Sequence, residues 1–186
     1  MRTKRPNKTK IMRLCFCALL MAIVCVCTMV AIPLPIGFFN LGDAACILSA
    51  HLLGPFLGVI AAAIGSALAD ILLGYAVYAP ATALIKGAVA ATAYLIFVAL
   101  GAGRSRSGWW LTLRACVSAA VGEVLMIGGY FAYDAFVLGY GMGALSGVLG
   151  NVLQGACAIV LSSAVTVLLH RVPRLVKMRE HLFDGA

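Results

Sequence analysis

The sequence predicts an all-α fold, a polytopic membrane bundle of six transmembrane helices, and three observations carry that prediction. Hydrophobic residues make up 63% of the chain and charged residues only 11%. The mean hydropathy is +1.07. Apolar runs long enough to cross hydrocarbon recur from end to end, punctuated by proline, glycine and short basic stretches. A water-soluble fold of 186 residues would leave too much of this apolar surface in water. Six spans of about 20 residues each use nearly all of it.

The chain opens with Arg2, Lys4, Arg5, Lys8, Lys10 and Arg13, followed by an uncharged run from Leu14 to Ile32 that forms the first span. A signal peptide also begins basic and then apolar, but its apolar core is shorter and a soluble protein would follow it. Pro33, Pro35 and Gly37 break the helix, and a loop through Phe38, Phe39 and Asn40 leads into a second apolar stretch, Leu41 to Leu53. At about 1.5 Å per residue this stretch falls short of a full span. It is therefore tilted, extended by its neighbours, or preceded by a loop that dips into the protein. Gly54 and Pro55 make a tight turn into the third span, which runs to about Leu73. Pro80 starts the fourth, which ends near Gly101. A polar loop from Gly103 to Gly108 leads to Trp109 and Trp110, rings suited to a membrane interface, and to the fifth span, Leu111 to Tyr133. After the glycine-rich turn Gly139 to Gly143, the sixth span ends near His170. The expected organisation is a basic segment 1–13, a membrane domain 14–170 and a basic tail 171–186.

Charge sets the expected orientation. Six basic residues precede the first span, Arg104, Arg106 and Arg114 flank the loop between the fourth and fifth, and Arg171, Arg174, Lys177 and Arg179 follow the sixth. Six spans put these three regions on one face, and the positive-inside rule makes that face, with both termini, cytoplasmic. The net charge of +8 is thus topogenic, with attraction to anionic lipid as a by-product and nucleic acid excluded as a partner. The seven cysteines lie inside apolar runs without histidine at metal-ligand spacing and behave as small hydrophobes, so no metal is expected. No phosphate loop, H-E-x-x-H or G-x-S-x-G motif occurs, so neither an enzyme nor a cofactor is expected, and energy from ATP must come from another subunit.

The informative residues are polar groups at membrane depth, which are costly and usually face a cavity: Asn40, Asp43, Asp70, Lys86, Glu123, Asp134, Asn151 and Gln154. With the termini inside, Asn40, Asp43, Asp70, Tyr75, Tyr78, Asp134 and Tyr140 lie at the outer ends of the spans. Lys86 lies in the first turns of the fourth span, and Asn151 and Gln154 in the outer half of the sixth. Glu123, Tyr130 and Asp134 share a helix face through spacings of seven and four, and Asn151 and Gln154 share another. Carboxylates, amides and aromatic rings together suit a small polar heterocycle. Plainer roles stand beside this one. Asp43 caps a helix, Asp70 binds water at a helix end, Lys86 snorkels and Asp134 sits among headgroups. Glu123, at mid-helix, needs either a cavity or a partner, and Lys86 is the basic residue at depth that can pair with it. Small-residue series, Ala18-x-x-x-Ala22, Ala61, Gly65, Ala69 and Ala83, Gly87, Ala91, permit close helix approach without naming a partner.

Taken together, these residues resemble the substrate-binding S component of energy-coupling factor (ECF) transporters, of the riboflavin, hydroxymethylpyrimidine and pyridoxine type. The likeness runs through Ala18-x-x-x-Ala22, Asn40-Leu41-Gly42-Asp43, Gly65-Ser66-Ala67-Leu68-Ala69-Asp70, Gly74-Tyr75, Tyr78-Ala79-Pro80-Ala81-Thr82 and Lys86-Gly87. It continues with Gly122-Glu123, Gly129-Tyr130-Phe131 and Gly150-Asn151-Val152-Leu153-Gln154-Gly155. The resemblance implies a prokaryotic cell-membrane protein with six helices and an outward-facing vitamin site under the loop between the first two. It also implies a complex with a transmembrane coupling protein and two ATPase subunits, with the S component toppling in the bilayer during transport. On that basis Ala18 and Ala22 contact the coupling protein, and Asn40, Asp70, Tyr78, Lys86, Glu123, Tyr130, Asn151 and Gln154 form the site for a vitamin or precursor. The alternative from another class is a membrane scaffold in which Glu123 and Lys86 pair and no ligand binds.

Overall fold

The computed structural model describes residues 8–34, 37–101, 108–179 and 182. Arg2, Lys4, Arg5, Pro35, Gly103, Arg104 and Arg106, used in the sequence argument, lie outside the described residues. Helix α1 (Lys8–Met29) is followed by an antiparallel hairpin, β1 (Ala31–Leu34) with β2 (Gly37–Asn40), and then by helix α2 (Gly42–Leu72). Helices α3 (Ala79–Ala99), α4 (Gly108–Ala132) and α5 (Leu145–His170) complete the bundle. A π turn (Tyr133–Val137) and a 3-10 turn (Gly141–Ala144) join α4 to α5, and a short helix α6 (Pro173–Arg179) lies in the basic tail.

The fold is a helical membrane bundle, and the hairpin is its one stretch of strand among the described residues. Five stretches are long and apolar enough to cross a bilayer, with Gly42–Leu72 counted once. That stretch is in fact two helices. Gly54 adopts φ 83 and ψ −174, a conformation that suits glycine, and Pro55 supplies the next residue without a backbone donor. Ser49 Oγ lies 2.8 Å from the carbonyl of Gly58, residues that a straight helix would separate by about 13 Å. The chain therefore reverses at Gly54, giving a first arm (42–53) and a second arm (55–72), and the six helices expected from the sequence are present.

Contacts along the bundle fix its direction. Cys17 reaches the Leu57 carbonyl near the reversal, while the Leu41 amide donates to the Cys27 carbonyl at the far end of α1. His51, at the bottom of the first arm, meets Thr166 late in α5, and Gln154, early in α5, meets Asp43. The start of α1 and the end of α5 thus lie at the same end of the bundle. Arg114 stacks over the Phe97 ring there, and Phe97 packs against His51 and His170. The first arm, about 18 Å long, does not reach the opposite end. The hairpin takes the missing length, so of the three options for the short second span, the dipping segment is the one found. Its register pairs Ala31 with Asn40 and Leu34 with Gly37.

Large apolar side chains such as Phe56, Leu84 and Val124 point outward, as a lipid-facing surface requires, while the interior is dense in alanine, cysteine and small polar residues. Close approach depends most on Gly58, where an added Cβ would stand 2.5 Å from the Ala50 Cα and from the Ser49 carbonyl. Both are backbone atoms and cannot step aside. Replacing Gly58 with Leu is therefore expected to spread the two arms and to lower the melting temperature in detergent by several degrees or more. A control at Gly108, with open space around it, should change little.

Candidate functional site

A cavity of about 270 Å³ opens at the end of the bundle away from Arg114 and His170, beside the hairpin. It is lined by Thr28 of α1, Asn40 of β2, Asp70 of the second arm, and Tyr78, Thr82 and Lys86 at the start of α3. Tyr130 and Asp134 line it from the α4 end, and Gly147, Gly150, Asn151 and Gln154 from α5. Every helix end that reaches this level contributes a polar group.

Beneath the cavity lies a buried ionic network. Asp43 is 0% exposed and Lys86 2%. Lys86 Nζ donates to Asp43 Oδ1, and Gln154 Nε2 donates to Asp43 Oδ2 at 2.6 Å. Gln154 Oε1 in turn accepts from the Asn40 amide at 3.3 Å, and Asn40 Oδ1 accepts from the Gly42 amide at 2.9 Å. One carboxylate thus ties α3 to α5, and the glutamine extends that tie to the hairpin. Its two oxygens are each satisfied by a donor, which is what allows a charge pair to sit at this depth.

The side walls are ordered by hydroxyl groups. The Tyr130 hydroxyl lies 3.0 Å from Thr82 Oγ1, and Asp70 lines the same cavity. Tyr78 lies beside Asp134, and its ring packs 5.6 Å from that of Tyr133. Burial, and then the Asp134 carboxylate beside it, raise the Tyr78 phenol above its usual range, so it stays a neutral donor. Lys86 Nζ stands 5.2 Å from the centre of the Tyr130 ring.

Seven of the eight residues expected from the sequence to form a site line this cavity: Asn40, Asp70, Tyr78, Lys86, Tyr130, Asn151 and Gln154. Glu123 does not. It lies deeper on α4, 2% exposed, pressed against Gly155, where an added Cβ would stand 3.1 Å from Glu123 Oε2. The alternative pairing of Glu123 with Lys86 is not formed either, because Asp43 takes the lysine. Neither oxygen of Glu123 has a hydrogen-bond partner among the described residues. The error traces to the short first arm. The plainer role for Asp43, a helix cap, is not found: α2 has no side-chain cap, and its start lies deep enough to reach Lys86. Thr28 and Thr82 were missed, since a lone threonine in an apolar run carries no signal in a sequence.

Ala18 and Ala22 are exposed on the outer face of α1, whereas Cys17, Val24, Cys25 and Thr28 face the bundle. The two alanines therefore lie on the open face of α1 among the described residues.

Comparison with known proteins gives this arrangement its context. The chain matches the ECF-type riboflavin transporter S component family over residues 8–172. It is similar to an uncharacterized protein in the gap 3' region of Pyrococcus woesei, at 30% identity over 145 residues, which covers 77% of this chain and 90% of that protein. The family match takes in all five helices of the bundle, the hairpin and every residue that lines the cavity. The chain belongs to the ECF-type riboflavin transporter S component family and is the substrate-binding component of an ECF vitamin transporter.

Proposed function

We propose that the cavity beside the hairpin is the vitamin site and that it faces the outside of a prokaryotic cell, with both termini cytoplasmic. The observation that carries this reading is the segregation of polar groups. One end of the bundle gathers carboxylates, amides and tyrosines around an open cavity, while the other gathers arginine and histidine beside the chain ends. The second arrangement is what the positive-inside rule associates with the cytoplasm. An unliganded membrane scaffold gives no account of the cavity or of the polar side chains that line it.

In this reading the Asp43, Lys86 and Gln154 network forms the floor, Asn40 and Asn151 offer amide groups to the ligand, and Tyr78 and Tyr130 offer ring faces and hydroxyls. Glu123 supports the floor from below without touching the ligand. Captured vitamin is released inward through the work of a transmembrane coupling protein and two ATPase subunits. The exposed Ala18 and Ala22 give the coupling protein a shallow groove on α1.

Asn151→Ala is expected to weaken vitamin binding about tenfold, because the ligand group it faces loses a hydrogen-bond partner in a water-poor site. Glu123→Gln should leave affinity within about threefold of the parent, since it lies outside the cavity. Isothermal titration of both purified variants checks the pair of expectations, and a larger loss at Glu123 than at Asn151 would overturn the assignment.

Ala22→Trp fills the groove on the exposed face of α1 with a bulky side chain. Uptake in cells that carry the partner subunits is expected to fall at least tenfold while binding to the isolated variant stays unchanged. Equal loss of uptake and binding would mean that the alanines serve the fold instead.

A further inference from the structure

The charges around the cavity do not cancel. Its described lining carries one cation, Lys86, and that charge is already paired with Asp43 in the floor. The two remaining ionisable acids of the lining are Asp70 and Asp134, and no arginine or histidine joins them. A hydroxyl group lies beside each, Thr82 by Asp70 and Tyr78 by Asp134. One oxygen of each, Asp70 Oδ2 and Asp134 Oδ1, has no hydrogen-bond partner among the described residues.

Thr28 of α1, 6% exposed, also lines the cavity, and its Oγ1 has no hydrogen-bond partner among the described residues. A carboxylate in a water-poor site without a partner costs more free energy than a neutral hydroxyl. The lining is thus rich in acceptors and short of positive charge, and a ligand that supplies donors and a cation complements it. The tyrosine rings suit the same partner, because the faces of Tyr78 and Tyr130 are negative and attract a flat cation. Size narrows it further. About 270 Å³ lies at the small end of ligand pockets, enough for one substituted ring.

We propose, resting on the reading of this cavity as the vitamin site, that its ligand is a single-ring nitrogen heterocycle carrying a positive charge. Its cationic group lies between Asp70 and Asp134, and its hydrogen-bond acceptors face Lys86 and Asn151. Positive charge, rather than hydrogen bonding alone, sets the preference.

Matched compounds separate charge from shape. Pyridoxamine and pyridoxine share a ring and differ in bearing an aminomethyl group, protonated at neutral pH, or a hydroxymethyl group. The aminomethyl and hydroxymethyl forms of 4-amino-2-methylpyrimidine make a second pair, and riboflavin supplies a larger neutral ligand. Binding of all five to the purified chain is measured at neutral pH by titration, beside Asp70→Asn and Asp134→Asn. These substitutions keep an acceptor and remove the charge.

In at least one pair the cation is expected to bind tenfold or more tightly than its neutral twin, with either asparagine variant reducing that preference to less than threefold. Tighter binding of a neutral twin or of riboflavin, with affinity retained in both variants, would overturn the cation assignment and leave the vitamin-site reading intact. Failure of all five compounds to bind the parent protein would overturn both. Melting curves of the two variants keep the result readable, since a variant that melts with the parent and loses the preference has lost charge and not fold.

Discussion

The structure depends on one buried ion pair. Asp43 and Lys86 lie almost wholly out of solvent at a depth where a lone charge would be untenable. Pairing them cancels the charge, and the glutamine at 154 supplies the remaining donor to the carboxylate. Three consequences follow from that single arrangement. The first arm of α2 must be short, so that its opening turn brings Asp43 level with Lys86. The hairpin must fill the space above that arm. The floor between hairpin and helices is then polar, and the cavity above it is one that an apolar vitamin carrier would have no reason to keep.

The same logic explains why the interior is polar and small while the outside is large and apolar. In lipid there is no hydrophobic drive to bury leucine, so helices associate through close backbone contact and interior hydrogen bonds. Gly58 and Gly65 give that contact. At Gly65 an added Cβ would stand 2.6 Å from the Met21 carbonyl of α1. Cys46, fully buried, sits 3.3 Å from Ser66 and fills space as a small side chain. The result is a rigid lower bundle that carries a ring of polar side chains at its upper rim.

Much of this was legible in the sequence. Hydropathy and the Gly54-Pro55 pair gave six helices, and seven of the eight site residues that the family resemblance implied meet at one cavity, at the depth that helix spacing assigns them. The charge partners were not. Which acid meets Lys86 depends on how deep the second helix begins, and that depth is set by the hairpin, whose pairing is a tertiary matter. Ile32, Pro33 and Phe39 read as the end of a helix and a loop, not as strands, because an isolated hairpin of this length has no strong pattern. Glu123 misled for a related reason. It shares a face with Tyr130 and Asp134, but two further turns carry it below the floor.

The central claim is that the Asp43 and Lys86 pair holds the site together, and a double-mutant cycle tests it most directly. Asp43→Ala and Lys86→Met are made singly and together, and stability is read by unfolding of the purified protein in detergent. Each single variant leaves one buried charge unpaired and is predicted to cost about 3 to 5 kcal/mol. The double variant, with neither charge, is predicted to be more stable than either single variant, giving a large coupling energy. Losses that simply add in the double variant would contradict the account.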